Sequence, residues 1–303
     1  MMRVLDIFSG IGGFSLGLQK AGMQTVAFAE CEDHCKLVLA KHWPSVPIYN
    51  DVRTINATQL RLDGTEFDLI CGGFPCQDIS IAGKNAGIEH GERSGLWREF
   101  ARIISDCRPK YALIENVSAL LSRGLNVVLK DLADLGYDAT WATLDSQFFG
   151  LPQRRRRVYI LAVRDGIPES ADIFHFDRRD SGKHRSEVAD FQRIRPWNFT
   201  QGEGVGHSFA FYTRQRSDQF ACAGLSSTLA KRDYKSFTDL VVDAHGIRRV
   251  TPDERLALQG FPRTFFDGLD LSDKQRFSMN GMSVNVVAWL GHRIMEFDNS
   301  ARA

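Results

Sequence analysis

Long apolar runs are missing from this chain: no uninterrupted stretch approaches the ~18 residues that a membrane helix needs. That excludes an integral helical membrane protein. The amino terminus, Met1-Met2-Arg3-Val4-Leu5-Asp6, has no secretory apolar segment or cleavage site, so a cytoplasmic protein is expected. Cysteine is scarce, with six in 303 residues. Without an export signal, free thiols are expected rather than a disulfide framework. The Cys31-Cys35 and Cys71-Cys76 spacings do not match tight zinc-ligand pairs, so no metal is expected. An excess of one charge is missing too, since 38 Lys and Arg stand against 37 Asp and Glu.

That balance conceals a bias. Residues 151–250 hold 18 Lys and Arg against 12 Asp and Glu, and the remainder holds 20 against 25. A basic segment in an otherwise acidic chain is the footprint of a polyanion-facing surface, although a solvated basic face leaves the same mark.

Hydrophobic periodicity predicts strands at Arg3–Phe8, Thr25–Glu30, Pro47–Tyr49, 67–71 and Tyr111–Ile114, with two more at Asp138–Leu144 and Arg157–Val163. Helices are expected over 14–20, 31–42, 55–61, 96–107 and up to Leu135, where Gly136 closes the last. Such alternation predicts an α/β fold with a doubly wound, mostly parallel Rossmann-like sheet. The alternation stops near Asp165. The expected organisation is a catalytic domain over 1–165 plus 277–303 and a smaller irregular or β-rich domain over 166–276. Residues 77–95, with four glycines and no apolar period, read as a loop.

Three places could carry chemistry. Gly10-x-Gly12-Gly13 follows a strand and opens a helix, where backbone N–H groups can approach a ligand, but it is not the full Gly-x-Gly-x-x-Gly fingerprint. Glu30 and Asp51 end the next two strands, suiting a ribose hydroxyl pair and an adenine amino group. This set fits an adenosine ligand without a pyrophosphate, such as S-adenosylmethionine, better than a nicotinamide dinucleotide. Cys76 follows Gly72-Gly73-Phe74-Pro75 at the carboxyl end of a strand, where open α/β sheets place their chemistry. Alone, it reads equally as a small buried residue.

Phe74-Pro75-Cys76-Gln77, with Asp6-Ile7-Phe8-Ser9-Gly10-Ile11-Gly12-Gly13-Phe14 before it and Glu115-Asn116-Val117 after it, resembles the cytosine-C5 DNA methyltransferase family of bacterial or phage type. Gln153-Arg154-Arg155-Arg156-Arg157, Arg249-Val250-Thr251-Pro252-Asp253-Glu254, Leu258-Gln259-Gly260-Phe261-Pro262 and Gly281-Met282-Ser283-Val284 resemble its later motifs, in order. The resemblance implies Cys76 as a nucleophile on cytosine C6, Glu115 at ring N3, Arg157 at O2 and Arg155 in support. It places Phe8, Gly10, Ile11, Gly13, Glu30, Asp51, Val52, Gly73, Pro75 and Ser283 at S-adenosylmethionine, whose product would be S-adenosylhomocysteine.

Gln77, Ser80 and Lys84 on the loop, and Thr228 in the basic region, are implied DNA contacts, with the loop closing over a flipped base. Two positions depart from the family pattern: Cys31 stands where an aromatic often covers the adenine, and Met282 replaces an asparagine. The partner implied is double-stranded DNA, bound by a monomer that could pair functionally with a restriction endonuclease. Two rivals remain: a tRNA cytosine-5 methyltransferase of the same family, and a non-catalytic DNA-binding module on the same fold.

Overall fold

A computed structural model describes residues 1–75, 95–166, 173–174, 210–213, 221–223, 225–229, 233, 239–243 and 246–300. Seven strands form the larger sheet: β1 (Arg3–Ile7), β2 (Gln24–Ala29), β3 (Ile48–Tyr49), β4 (Leu69–Gly72), β5 (Tyr111–Val117), β6 (Tyr137–Asp145) and β7 (Arg156–Arg164). Their order is β3-β2-β1-β4-β5-β7-β6. The strands from β3 to β5 are parallel neighbours. β7 runs antiparallel to β5, so the expected doubly wound sheet is parallel over five strands and reverses at the sixth.

Helices lie between the strands: α1 (Gly13–Lys20), α2 (Asp33–His42), α3 (Ala57–Leu62), α4 (Gly95–Cys107), α5 (Leu120–Arg123) and α6 (Leu125–Asp134). β4 is buried at every residue, and β5 at all but Val117, as expected of parallel strands covered on both faces. Against them pack Trp97, Phe100, Ile103 and Ile104 of α4 and Val128 and Leu132 of α6. Burial of each such side chain contributes about 1.5–3 kcal/mol. The crossover direction changes between β1 and β4, and open α/β sheets bind ligands at the carboxyl ends of strands flanking such a switch. Gly72 closes β4 there. A Cβ on it would stand 2.4 Å from the backbone oxygen of Ile7, so only glycine lets the ends of β1 and β4 lie together.

The fifth strand expected from sequence stops at Ile114, but β5 continues three residues further, to Val117. Asn116 and Val117 pair with Val158 and Arg157, so the ladder persists where the apolar run stops.

The chain divides into two compact units. The first comprises Met1–Leu144, Arg156–His175 and Val287–Ala303; the second comprises Asp145–Arg155 and Phe176–Val286. These ranges differ from the domains expected from sequence at 145–155, 166–175 and 277–286. The second unit contains a four-stranded antiparallel sheet of β8 (Ala210–Thr213), β9 (Ala221–Ala223), β10 (Asp239–Asp243) and β11 (Gly246–Arg249), in the order β11-β10-β8-β9. It also holds α7 (Pro252–Leu258), which starts at a Thr251–Glu254 capping box with proline at the first turn. α8 (Asp273–Ser278) follows, and the last helix is α9 (Val284–Ser300). Among the described residues, no helix is long and apolar enough to cross a membrane.

Candidate active site

The loop after β1 is built from unusual backbone. Phe8, Gly10 and Gly12 have φ of 54°, 55° and 81°. Left-handed geometry at a bulky residue such as Phe8 costs about 1–3 kcal/mol and concentrates at functional sites. Side chains fix the loop. The Ser9 hydroxyl donates to the Asp6 carbonyl at 2.6 Å, and Gly10 N donates to Glu30 Oε2 at 2.7 Å. Glu30 Oε1 accepts from Glu32 N, so one carboxylate joins the ends of β1 and β2 and keeps lone pairs for a ligand. Among the described residues, a Cβ on Gly10 would meet nothing within 4 Å, which leaves that side of the loop open. Gly12 is closed off instead, because a Cβ there would stand 2.6 Å from the Trp43 ring.

Beneath the loop, Asp6 is fully buried. Its Oδ2 accepts from Ser15 N at 3.2 Å and Ser15 Oγ at 2.7 Å, anchoring the start of α1 to β1. Thr25 Oγ1 donates onward to Ser15 Oγ at 2.8 Å. Burial pushes the Asp6 carboxyl up to about 7; the Ser15 hydrogen bonds oppose the shift and the Glu30 charge adds to it. Between about pH 4 and 7 the folded chain therefore holds a proton that the unfolded chain has released. Stability from this group falls as pH rises through that window and levels off above it. Asp6→Asn has no such cost, so urea unfolding should show the variant gaining on the wild type at pH 8 relative to pH 5. An equal difference at both pH values would remove the raised carboxyl from the account.

Asp51 caps the turn after β3, and Arg53 holds its carboxylate with a contact of 2.7 Å. The Arg53 hydrogen bond, chiefly, keeps that carboxyl below the usual range. Arg102, on α4, donates to the carbonyls of Ile55 at 2.7 Å and Val52 at 3.2 Å, bracing the segment that carries Asp51 and Val52. No periodicity in α4 marked Arg102 for this task.

Gly73 and Pro75 are half-buried at the exit of β4, and Phe74 is buried between them against Trp97, with ring centroids 5.5 Å apart. Asn116 Nδ2 donates to the Phe74 carbonyl at 3.2 Å, which fixes the exit of β4 from the neighbouring strand. Asn116 was legible only as part of a motif, with no role of its own. Cys76, Gln77, Ser80 and Lys84, and the expected loop up to residue 94, lie outside the described residues.

Glu115 pairs with Tyr159 across the β5–β7 ladder, and Val117 with Arg157. Opposed residues share a face, so Glu115 and Arg157 are diagonal neighbours on one side of the sheet. Arg157 Nε lies 3.1 Å from Glu115 Oε1, with both side chains largely buried. Exposure alternates along the arginine block: Arg154 and Arg156 are exposed, Arg157 is half-buried and Arg155 is buried. Arg155 precedes β7 and belongs to the second unit, where its backbone N–H donates to Asp145. In the same unit Thr228 Oγ1 donates to the Arg154 carbonyl at 2.7 Å. Ser283 is buried, and its hydroxyl has no hydrogen-bond partner among the described residues, an orphan of the kind a ligand satisfies. Arg185, Arg193, Arg195, Arg214, Arg216, Lys231, Arg232 and Lys235 of the basic region lie outside the described residues. Among the described residues, no cluster of three metal-ligating side chains occurs.

A glycine-turned loop after β1, acids after β2 and β3, and a buried acid–arginine pair beyond the switch point define a Rossmann-like methyltransferase. The model for C-5 cytosine-specific DNA methylase matches residues 2–196, and the chain belongs to that family. The Type II methyltransferase M2.BsuMI of Bacillus subtilis (strain 168) is 33% identical, over 97% of this chain and 76% of its own length. M.NgoBI of Neisseria gonorrhoeae, also a Type II methyltransferase, is 30% identical over 95% of this chain and 91% of its own length. Among solved structures, the Dnmt2 methyltransferase of S. pombe superposes with a TM-score of 0.70 at 21% identity, covering 98% of this chain and 99% of that one. The chain is thus a DNA cytosine-5 methyltransferase, and enzymes of this family generally use S-adenosylmethionine.

Proposed function

We propose that the chain methylates C5 of a cytosine flipped out of a specific double-stranded DNA sequence, acting as a monomer in a restriction–modification setting. The observation that carries this reading is the buried Glu115–Arg157 pair on β5 and β7, with Asn116 on the same strand bracing the segment that leads into Cys76. Cytosine C5 is a weak nucleophile while the ring is aromatic. Addition of the Cys76 thiolate at C6 breaks the aromaticity and makes C5 an enamine carbon. A proton shared between the Glu115 carboxyl and N3, with Arg157 donating at O2, offsets the negative charge that builds on the ring as the thiolate attacks. S-adenosylmethionine supplies an electrophilic methyl on its sulfonium. Loss of the C5 proton then expels the thiolate and restores the ring.

The residues present suit that ligand. Gly10 leaves the loop open, Glu30 retains acceptor capacity for ribose hydroxyls, and Asp51 with Val52 stands on a segment braced by Arg102. Phe8, Ile11, Gly13, Gly73 and Pro75 would supply the remaining walls, and the orphan hydroxyl of Ser283 supports its assignment to the cofactor. Gln77, Ser80, Lys84 and Thr228 would contact DNA. The Type II relatives support the restriction–modification setting. Bisulfite sequencing of DNA from cells expressing the chain should show 5-methylcytosine in one sequence context, and purified protein should label duplex DNA over tRNA. Methyl transfer to tRNA alone would overturn the proposal.

A further inference from the structure

Within the second unit, two segments more than 70 residues apart are bonded into one piece. Ser226 N donates to the Pro152 carbonyl at 2.9 Å and Arg154 N to the Ser226 carbonyl at 2.8 Å, a parallel bridge between Gln153 and Ser226. Gln153 Nε2 donates to the Ser227 carbonyl at 3.3 Å, and Thr228 Oγ1 to the Arg154 carbonyl at 2.7 Å. The segment carrying Arg155 is thus held residue by residue against the segment carrying Thr228.

A third element sets where that second segment lies. Asp239, at the start of β10, is 5% exposed. Its Oδ2 accepts from Ser226 Oγ at 2.8 Å and Ser227 N at 2.9 Å, and its Oδ1 from Ser227 Oγ at 2.8 Å. Burial pushes the Asp239 carboxyl up, while bonds from Ser227 and Ser226 pull it down. A buried carboxylate is a costly way to fill space, and an apolar residue would fill it more cheaply. What an ionised carboxylate offers is acceptor capacity without a donor, so three donors from two consecutive residues converge on one group. An asparagine there would turn an N–H₂ group toward a hydroxyl or an N–H donor.

We propose that Asp239 is a positioning residue for methyl transfer, holding Ser226–Thr228 so that engagement of DNA by this segment sets the placement of Arg155. This rests on the DNA contact proposed for Thr228 and on the support of Arg157 by Arg155 that the family resemblance implies. Displacing a supporting group by about 1 Å can cost on the order of 100-fold in rate without touching the chemistry.

The test compares Asp239→Ala, Arg155→Ala and the double variant on duplex DNA carrying the methylated sequence, with S-adenosylmethionine affinity measured alongside. Asp239→Ala should lower kcat by about 10- to 100-fold, with cofactor affinity within about twofold of wild type. Because Asp239 acts through Arg155, the double variant should be no slower than Arg155→Ala alone. Rate losses that multiply in the double variant, or an unchanged kcat in Asp239→Ala, would overturn the proposal. Full activity in Arg155→Ala would instead remove the reading on which it rests. If Asp239→Ala does not fold, Ser227→Ala, which deletes one donor hydroxyl and leaves the carboxylate, carries the same comparison with the same outcomes.

Discussion

Replacing Cys76 by serine should reduce methyl transfer by about 10⁴-fold or more while leaving S-adenosylmethionine affinity unchanged. The reason is chemical. A thiol near pH 7 supplies a useful fraction of thiolate, which attacks an electron-poor ring carbon and leaves it again readily, whereas a serine hydroxyl is ionised to a negligible extent. Sequence places Cys76 directly after Pro75, and the structure shows what leads into it: Gly72 packed on the end of β1, Phe74 buried on Trp97, and the Phe74 carbonyl held by Asn116. The cofactor contacts proposed on the β1 loop are unaltered by the substitution, so equilibrium titration separates the two properties. DNA carrying 5-fluorocytosine at the target offers a second measurement. The adduct forms and is methylated, but C5 then carries no proton to lose, so wild-type protein should remain covalently attached in a denaturing gel. The serine variant should leave no such band, and a band of equal intensity would refute the role of Cys76.

The second large effect is expected at Glu115. Glu115→Gln keeps the shape of the side chain and removes its charge. Removing one group that meets developing charge in a preorganised site costs about 10²–10³ in rate. The pair with Arg157 adds a stability component, because the two side chains are only 10% and 15% exposed. Taking one partner from a buried ion pair is destabilising by about 3–5 kcal/mol, mostly through the charge left behind. The two contributions can be separated. Pairing Glu115→Gln with Arg157→Met removes the stranded charge, so thermal unfolding should recover toward wild type while kcat stays low. Activity within about threefold of wild type in Glu115→Gln would exclude Glu115 from the chemistry.

Much of the frame was legible because buried parallel strands are short apolar runs between turn residues, and β1 to β5 are built that way. The failures were at places where polar residues enter an element and are satisfied from elsewhere. Glu115 and Asn116 look like the end of a strand by hydropathy, yet Arg157 and the Phe74 carbonyl complete them and the ladder continues. The reversal of β7 has no local signature, since alternation along a strand is the same in either direction. Asp6, Arg102 and Asp239 were passed over for a related reason. Each acts on a partner outside its own element, nine residues away for Asp6, twelve for Asp239 and fifty for Arg102, and hydrophobic periodicity records no such partner. The motif residues were legible because their types are fixed by chemistry, whereas their supports are fixed by packing.

The Asn116 bond to the Phe74 carbonyl, which spans 42 residues, has a consequence for how the enzyme comes into being. The contact between Glu115 and Arg157 joins strands with two helices, α5 and α6, and the strand β6 between them in sequence. Contacts this far apart form only after the intervening chain has been organised, because loop closure precedes any gain from them. The Glu115–Arg157 pair therefore cannot form from local contacts alone. During synthesis it stays incomplete until β7 has been made and has docked beside β5, so a nascent or truncated chain that ends before Arg157 lacks the acid–arginine pair altogether.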